Sequence, residues 1–361
     1  MSLPEQQDAL LITAKGERMT MGKRRVPKPG AGEVLVRNSA AALNPADMYI
    51  QKLGVFVKDE DLPLVIGCDG AGEIVALGEG VQGWNVGDKV FYQAPLVKSD
   101  YTTFQQYTLA NASRIALIPP NITPEQASTI PLALATAALG LYQVQRDEIH
   151  AMGYDMGGAG LTPPWDEGGM GKYEGKAAVV IGGSSSVGQF ALQLLHASGF
   201  NPLVTTASAH NEEYCKAAGA THVIDYKTTP YSDLPTTVKS IVADTPISII
   251  YNSIASGTQA FALEILGPGG SLVTVTKPDV GAQGPPDAQG RRIICVYGDA
   301  GAECHQQLGE NMYASLTRMV EQGVLKPNKV RVLEGGLGAV PAGCDEIERG
   351  VSGVKLVVRI D

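Results

Sequence analysis

The amino-acid sequence predicts an α/β protein in two parts, a barrel-like β domain and a doubly wound domain on a parallel sheet. Three observations predict it. Between Ala9 and Pro120, short apolar runs are separated by Gly, Pro and Asn before any long helix begins, as in sheets that close on themselves. Further on, apolar runs at 177–181, 203–206, 222–224, 247–252 and 271–275 alternate with helical segments, the grammar of parallel strands joined by crossover helices. At 177–195, AAVVIGGSSSVGQFALQLL joins a buried strand, a small-residue turn and a helix in one stretch.

In chain order, the first strands are ALLITAK from Ala9 and EVLVRNSAAAL from Glu33, the second entered through a Pro-Lys-Pro-Gly-Ala-Gly turn. GAGEIVALG, DKVFYQ and FQQYTLA follow, set apart by turn residues. At Thr123-Pro124-Glu125-Gln126 the pattern changes: an N-cap, a proline at the first helical position and a third residue able to close a capping box. A helix through LALATAALGLYQV comes next, then a segment at 146–175 rich in Gly, Pro and Met that reads as a loop or linker. The five strands of the parallel sheet follow, GPGGSLVTV turning into the fifth. Helix MYASLTRMVEQG and strand KLVVRI end the chain, and no internal repeat is visible.

A chain of 361 residues suits two ordinary domains. Its net charge of -9 argues against a nucleic-acid or anionic-membrane surface. Cys68, Cys215, Cys295, Cys304 and Cys344 show no C-x-x-C spacing and read as reduced thiols of an intracellular protein. The N-terminus lacks a targeting pattern, and the most apolar stretch, 130–144, contains Pro131 and Gly140 and is too short for a membrane span. A cytoplasmic location is expected.

The turn after the first parallel strand is the expected phosphate site. Gly182 and Gly183 permit positive φ and close backbone approach, and the start of the following helix favours an anion such as a pyrophosphate. Gly182 and Gly188 frame Ser184, Ser185, Ser186 and Val187, with Ser185 standing where a G-x-x-G-x-x-G frame has its middle glycine. The second strand ends in Thr205, Thr206, Ala207 and Ser208, followed by His210, Asn211 and Lys216, where an NAD-binding protein places an acid on the ribose 2′-OH. An uncharged strand end with such donors suits a 2′-phosphate, so NADPH is the expected cofactor. Ser208 and Asn211 equally suit capping of the helix NEEYCKAAG.

AALNPADMYI, IGCDGAGEIVALGEGV, VGDKVF, TAALGL, GGSSSVGQFALQL and GPGGSLVTV, in this order, resemble the zinc-free branch of the medium-chain dehydrogenase/reductase superfamily. In pattern they are similar to quinone-oxidoreductase-like proteins and fungal trans-acting enoyl reductases. The resemblance covers nearly the whole chain. It implies a GroES-like β-barrel catalytic domain at 1–137 and 311–361 around a Rossmann NADPH-binding domain at 138–310. Zinc-dependent relatives carry a cysteine where this chain has Pro45 or Ala46, and His-Glu in the block matching Gly67-Cys68-Asp69. With no cysteine between Cys68 and Cys215, the structural zinc lobe is excluded, and Cys68 and Asp69 lack the third ligand of a catalytic zinc. No metal is expected.

Without a metal, reduction of a conjugated C=C or a quinone remains feasible, because the cofactor supplies the hydride and the protein supplies orientation. The resemblance places Asn44, Pro45 and Asp47 beside the nicotinamide and substrate, although Asp47 equally suits a cap on the following helix. It also places Thr136 toward the cofactor and Tyr226 near the 2′-phosphate and adenine. Asn252, Ser253 and Ile254 end the fourth strand, where open α/β sheets gather ligand contacts, or form an ordinary turn. Val354 and Lys355 match the place where relatives return to the active site, Lys355 meeting a phosphate or standing solvated. For the proton, Tyr49 is the nearest phenol to this block, with water as the alternative donor.

The expected function is NADPH-dependent reduction of activated double bonds, foremost as a trans-acting enoyl reductase on polyketide-type thioesters, with a polyketide synthase as implied partner. A quinone or enone oxidoreductase is the alternative. A reading of another class is an NADPH-binding sensor or structural protein with little catalysis, favoured by Ser185 in the turn and by the missing acid tyrosine in 54–57. Relatives occur as monomers and as homodimers.

Overall fold

The structure is a computed structural model that describes residues 3–254 and 257–360. Strands β1 (Gln6–Leu11), β2 (Thr20–Arg25) and β3 (Glu33–Ala42) precede helix α1 (Pro45–Leu53). Strands β4 (Asp69–Leu77), β5 (Lys89–Gln93), β6 (Tyr107–Asn111) and β7 (Ile115–Leu117) lead to helices α2 (Pro124–Ala127) and α3 (Pro131–Tyr142). After a long connection come β8 (Ala177–Ile181), α4 (Ser186–Ala197), β9 (Leu203–Ala207), α5 (Glu212–Ala217), β10 (His222–Asp225) and α6 (Leu234–Val242). The order continues with β11 (Ile247–Asn252), α7 (Gln259–Ile265), β12 (Ser271–Thr274), β13 (Arg292–Cys295), α8 (Gln306–Glu321), β14 (Val330–Leu333), α9 (Val340–Arg349) and β15 (Lys355–Arg359).

The chain divides into two compact units. The first comprises Met1–Leu132, Gly309–Gln322 and Pro327–Asp361, so residues from both ends of the sequence share it. Its seven-stranded sheet runs β14-β15-β3-β4-β5-β7, with β6 also paired to β3, beside the hairpin β1-β2. The ten-residue β3 serves three partners because β6 pairs with its residues 33–37 and β15 with 40–42, while β4 runs along the other edge with register shifts between Leu35/Val36 and between Asn38/Ala40. Val34, Val36, Ile74, Val90 and Ile115 close one core of this unit, while Met48 and Ile50 of α1 and Val340 and Cys344 of α9 enter another. Asn38 and Tyr92, both buried, are joined by a hydrogen bond from the Tyr92 hydroxyl to the Asn38 amide oxygen.

The second unit comprises Ala133–Leu308 and Gly323–Lys326. Its six strands are all parallel in the order β10-β9-β8-β11-β12-β13, so the direction in which successive strands are added to the sheet reverses between β8 and β11. In such sheets ligands bind outside the carboxyl ends of the strands at that switch point. The sequence reading had five strands; β13 is a sixth. Only four residues long and preceded by the polar Gly290-Arg291, it is defined by its pairing with β12. Residues 143–176 contain no helix or strand, as the loop expectation had it.

Candidate active site

The turn after β8 is shaped by three glycines with three different neighbours. All five residues of β8 are buried, and the strand is followed at once by Gly182, which has φ +84°. A Cβ at Gly182 would lie 2.2 Å from Ile254 Cγ2, one at Gly183 2.1 Å from Thr205 Oγ1, and one at Gly188 2.2 Å from the Gly182 carbonyl oxygen. The chain therefore passes where no side chain fits. Ser185 caps α4, its Oγ accepting from the Gly188 N–H at 3.0 Å and donating to Ser253 Oγ at 2.9 Å. Ser253 Oγ in turn donates to the Ile181 carbonyl at 2.8 Å, so the residues ending β8 and β11 brace each other.

At the carboxyl end of β9, the Thr205 hydroxyl is committed inward as a donor, which corrects its reading as a ligand donor, and the Thr206 oxygen braces the turn after β8. Thr205 Oγ1 donates to the Val180 carbonyl at 2.6 Å, and Thr206 Oγ1 accepts from the Gly182 N–H at 3.0 Å. Ser208, His210 and Asn211 gather beyond them: Asn211 Nδ2 lies 3.2 Å from Ser208 Oγ and 3.3 Å from His210 Nε2. Neither Ser208 nor Asn211 makes a side-chain cap bond, a correction to the capping reading, since these side chains face one another. Lys216 lies one turn along α5, paired with Glu212 at 2.7 Å and exposed, outside that group. Tyr226, just past β10, stacks on Tyr231 with centroids 6.1 Å apart and planes at 7°. Tyr231, which sequence reasoning missed, reaches back to Thr206 Oγ1 at 3.4 Å.

At the end of β11, Asn252 Nδ2 donates to Thr258 Oγ1 at 2.8 Å, and Ile254 covers Gly182. Thr136, half-buried in α3, lies against Gly298 just past β13, where a Cβ would come within 2.5 Å of its Oγ1. Its carbonyl accepts from the Tyr251 hydroxyl at 2.8 Å.

The first unit holds a buried polar group. The Asn44 N–H donates to Asp47 Oδ2 at 2.8 Å, the cap reading of Asp47, and Asn44 Nδ2 donates to Asp69 Oδ2 at 2.8 Å. Asp69 Oδ1 accepts from the Leu132 N–H at 2.6 Å, in the first turn of α3. Lys355 Nζ lies 3.2 Å from Asp69 Oδ2 and donates to the Asn44 amide oxygen. Lys355 is 3% exposed, which corrects its reading as solvated or directed at a phosphate: pairing of β15 with β3 buries its ammonium beside Asp69. Asp47 is fully buried, and its Oδ1 has no hydrogen-bond partner. Burial above all pushes its carboxyl up to about 7; the Asn44 N–H opposes this, the Asp69 charge adds to it and the Lys355 charge opposes it. Tyr49, 47% exposed, stands on the outer side of α1, outside this group.

Comparison with known proteins gives two family matches, "Alcohol dehydrogenase GroES-like domain" over residues 30–120 and "Zinc-binding dehydrogenase" over residues 186–315. Among similar proteins, trans-enoyl reductase tndF of Aspergillus flavipes is 29% identical over 99% of this chain and 100% of its own. Dehydrogenase orsE of Emericella nidulans is 30% identical over 98% and 99%, and lovC of Aspergillus terreus, described as the enoyl reductase component of lovastatin nonaketide synthase, is 28% identical over 99% and 97%. A quinone oxidoreductase from Coxiella burnetii shares the fold, with a TM-score of 0.69 at 21% identity over 99% of this chain and 100% of its own. The second family description implies zinc, which the residues present do not fit. Both Asp69 oxygens are held by N–H donors, and the Lys355 ammonium stands where a metal's charge would be needed. Among the described residues, no group of three or more His, Cys, Asp or Glu side chains can hold a metal ion. No described helix is long and apolar enough to cross a membrane.

Proposed function

Because the chain belongs to the medium-chain dehydrogenase/reductase superfamily of oxidoreductases, we propose that it reduces activated C=C bonds with NADPH, as a trans-acting enoyl reductase on polyketide-type enoyl thioesters. The observation that carries this reading is end-to-end similarity to two proteins named as enoyl reductases, one of them the component of a polyketide-type synthase. A synthase is accordingly the proposed source of carrier-bound substrate.

The preference for NADPH rests on the end of β9, where Ser208, His210 and Asn211 meet with no carboxylate among them to repel a 2′-phosphate. Tyr226 and Tyr231 offer a ring face for the adenine. The N–H groups of Gly182 and Gly183 are committed to Thr206 and that of Ser185 to the Gly182 carbonyl, so the pyrophosphate falls to the N–H groups of Ser184, Ser186 and Val187 at the start of α4. When bound, the dihydronicotinamide supplies a hydride to the electron-poor carbon of the acceptor. Thr136, held against Gly298, orients the acceptor at that end of the sheet, while Asn44 and Asp47 hold the start of α1. Protonation of the resulting enolate from water fits better than donation from the exposed Tyr49.

The test is a titration of the protein with NADPH and NADH, followed by addition of crotonyl thioester and then a quinone. NADPH should bind at least about 10-fold tighter, a difference of about 1.4 kcal/mol, and be oxidised on adding the thioester. Preference for NADH would overturn the assignment of the β9 end. Oxidation by the quinone alone would move the function to quinone reduction, and tight binding without turnover would leave a binding role.

A further inference from the structure

Residues 143–176 are the longest connection among the described residues. Connections of this length without helix or strand are as a rule functional or disordered, and this one is anchored. Asp155 lies along the edge strand β13: its N–H donates to the Cys295 carbonyl at 2.8 Å, and its Oδ2 accepts from the Cys295 N–H at 2.7 Å and from Gln283 Nε2 at 2.8 Å. The clamp holds two rings of the segment beside Tyr297, the second residue past β13. His150 stacks on Tyr297 with centroids 5.0 Å apart and planes at 15°, and Tyr154 lies at 5.9 Å and 30°. His305 adds a fourth ring at 5.9 Å.

The position of this cluster in the sheet gives it a direction. With pyrophosphate at the turn after β8 and the adenosine half over β9 and β10, the carboxyl ends of β11, β12 and β13 face the nicotinamide half. Tyr297 precedes Gly298, whose backbone touches Thr136. Burial pushes the Tyr297 hydroxyl up to about 12, so the ring is neutral across the working range. Aromatic faces on a rigid support favour offset stacking with an electron-poor conjugated chain, and little side-chain freedom is lost on contact.

We propose that Tyr297, His150 and Tyr154 form the acceptor-recognition wall of the enzyme, selecting acyl groups whose conjugation extends past the reacting double bond, polyenoyl or aryl-conjugated, over short enoyl groups. The inference rests on the reductase reading above and names the substrate class of that same site.

The experiment measures kcat/KM with NADPH for cinnamoyl, sorbyl and crotonyl thioesters in the wild type and in Tyr297→Leu, Tyr297→Phe and His150→Leu. The wild type should favour the two extended acceptors over crotonyl by about 10-fold or more, the size of one aromatic contact. Tyr297→Leu and His150→Leu should lower that ratio to within about 2-fold, through the KM of the extended acceptors and with unchanged NADPH affinity, while Tyr297→Phe keeps it. His150→Leu, on a half-exposed ring, serves if Tyr297→Leu does not fold. Crotonyl turnover without preference in the wild type, or a ratio that survives both leucine variants, overturns the inference alone. No turnover with any acceptor overturns the reductase reading and the inference with it.

Discussion

At the turn after β8, side chains serve to keep the backbone in place: three glycines clear the path, while Ser185, Thr206 and Ser253 hold its edges. Around Asp69 the arrangement is the reverse. Full charges on Asp69 and Lys355 are buried, and each depends on a partner from another part of the chain. A site built from backbone and small residues tolerates loss of one hydrogen bond but not one added carbon. A site built from paired buried charges does not tolerate loss of one charge.

The largest effect expected from this contrast is that of Lys355→Met. It leaves the Asp69 carboxylate buried without its cation and should cost about 3–5 kcal/mol in urea unfolding at neutral pH. Adding Asp69→Asn should recover most of that loss. A single variant within about 1 kcal/mol of wild type would mean that the pair is worth no more than a surface ion pair. Asp47 gives the next effect. Its folded value of about 7 stands above the ordinary 3.8, so the folded protein binds the extra proton. This contribution to stability is full below about pH 4 and is lost as pH rises to 7 and beyond. Asp47→Asn keeps an oxygen for the Asn44 N–H and removes the titration. Its stability relative to wild type should therefore rise by roughly 2–3 kcal/mol between pH 5 and pH 8. A difference that does not change with pH would refute the raised value.

The two regions also differ in how far they can be read from sequence. Strand, glycine turn and helix are contiguous at β8 and α4, and their apolar periodicity and small residues are local properties, so the strand-turn-helix unit and the doubly wound sheet were legible. The Lys355–Asn44 contact joins residues 311 positions apart. A lysine at the start of a strand reads as a solvent-facing residue, and its burial is decided by the pairing of β15 with β3 and by the Asp69 carboxylate. Strand β13 was missed for the same reason, its four residues owing their conformation to β12. Asp47 was legible as a cap from Asn44-Pro45 and the helix after it. Its raised value was not, since that depends on how completely α1 and its surroundings exclude water.

At the turn, Gly188→Ala is the sharper break. In an ordinary helix this change gains about 1 kcal/mol. Here the new Cβ would stand 2.2 Å from the Gly182 carbonyl oxygen. A net loss of about 2 kcal/mol is expected, together with weaker NADPH binding as the turn shifts. A variant as stable as wild type with intact NADPH affinity would show that the turn yields without consequence.

Thr206→Val should do least. The shape is kept and only the acceptor for the Gly182 N–H is removed, at a cost of about 1 kcal/mol, and Thr206→Ser should restore it. Because the proposed phosphate donors lie later in the turn, NADPH affinity should fall by no more than about 3-fold in a fluorescence titration. A loss as large as that of Gly188→Ala would mean that the Thr206 hydroxyl governs the turn as strongly as the glycines do, and the contrast with the charge-paired site at Asp69 would then disappear.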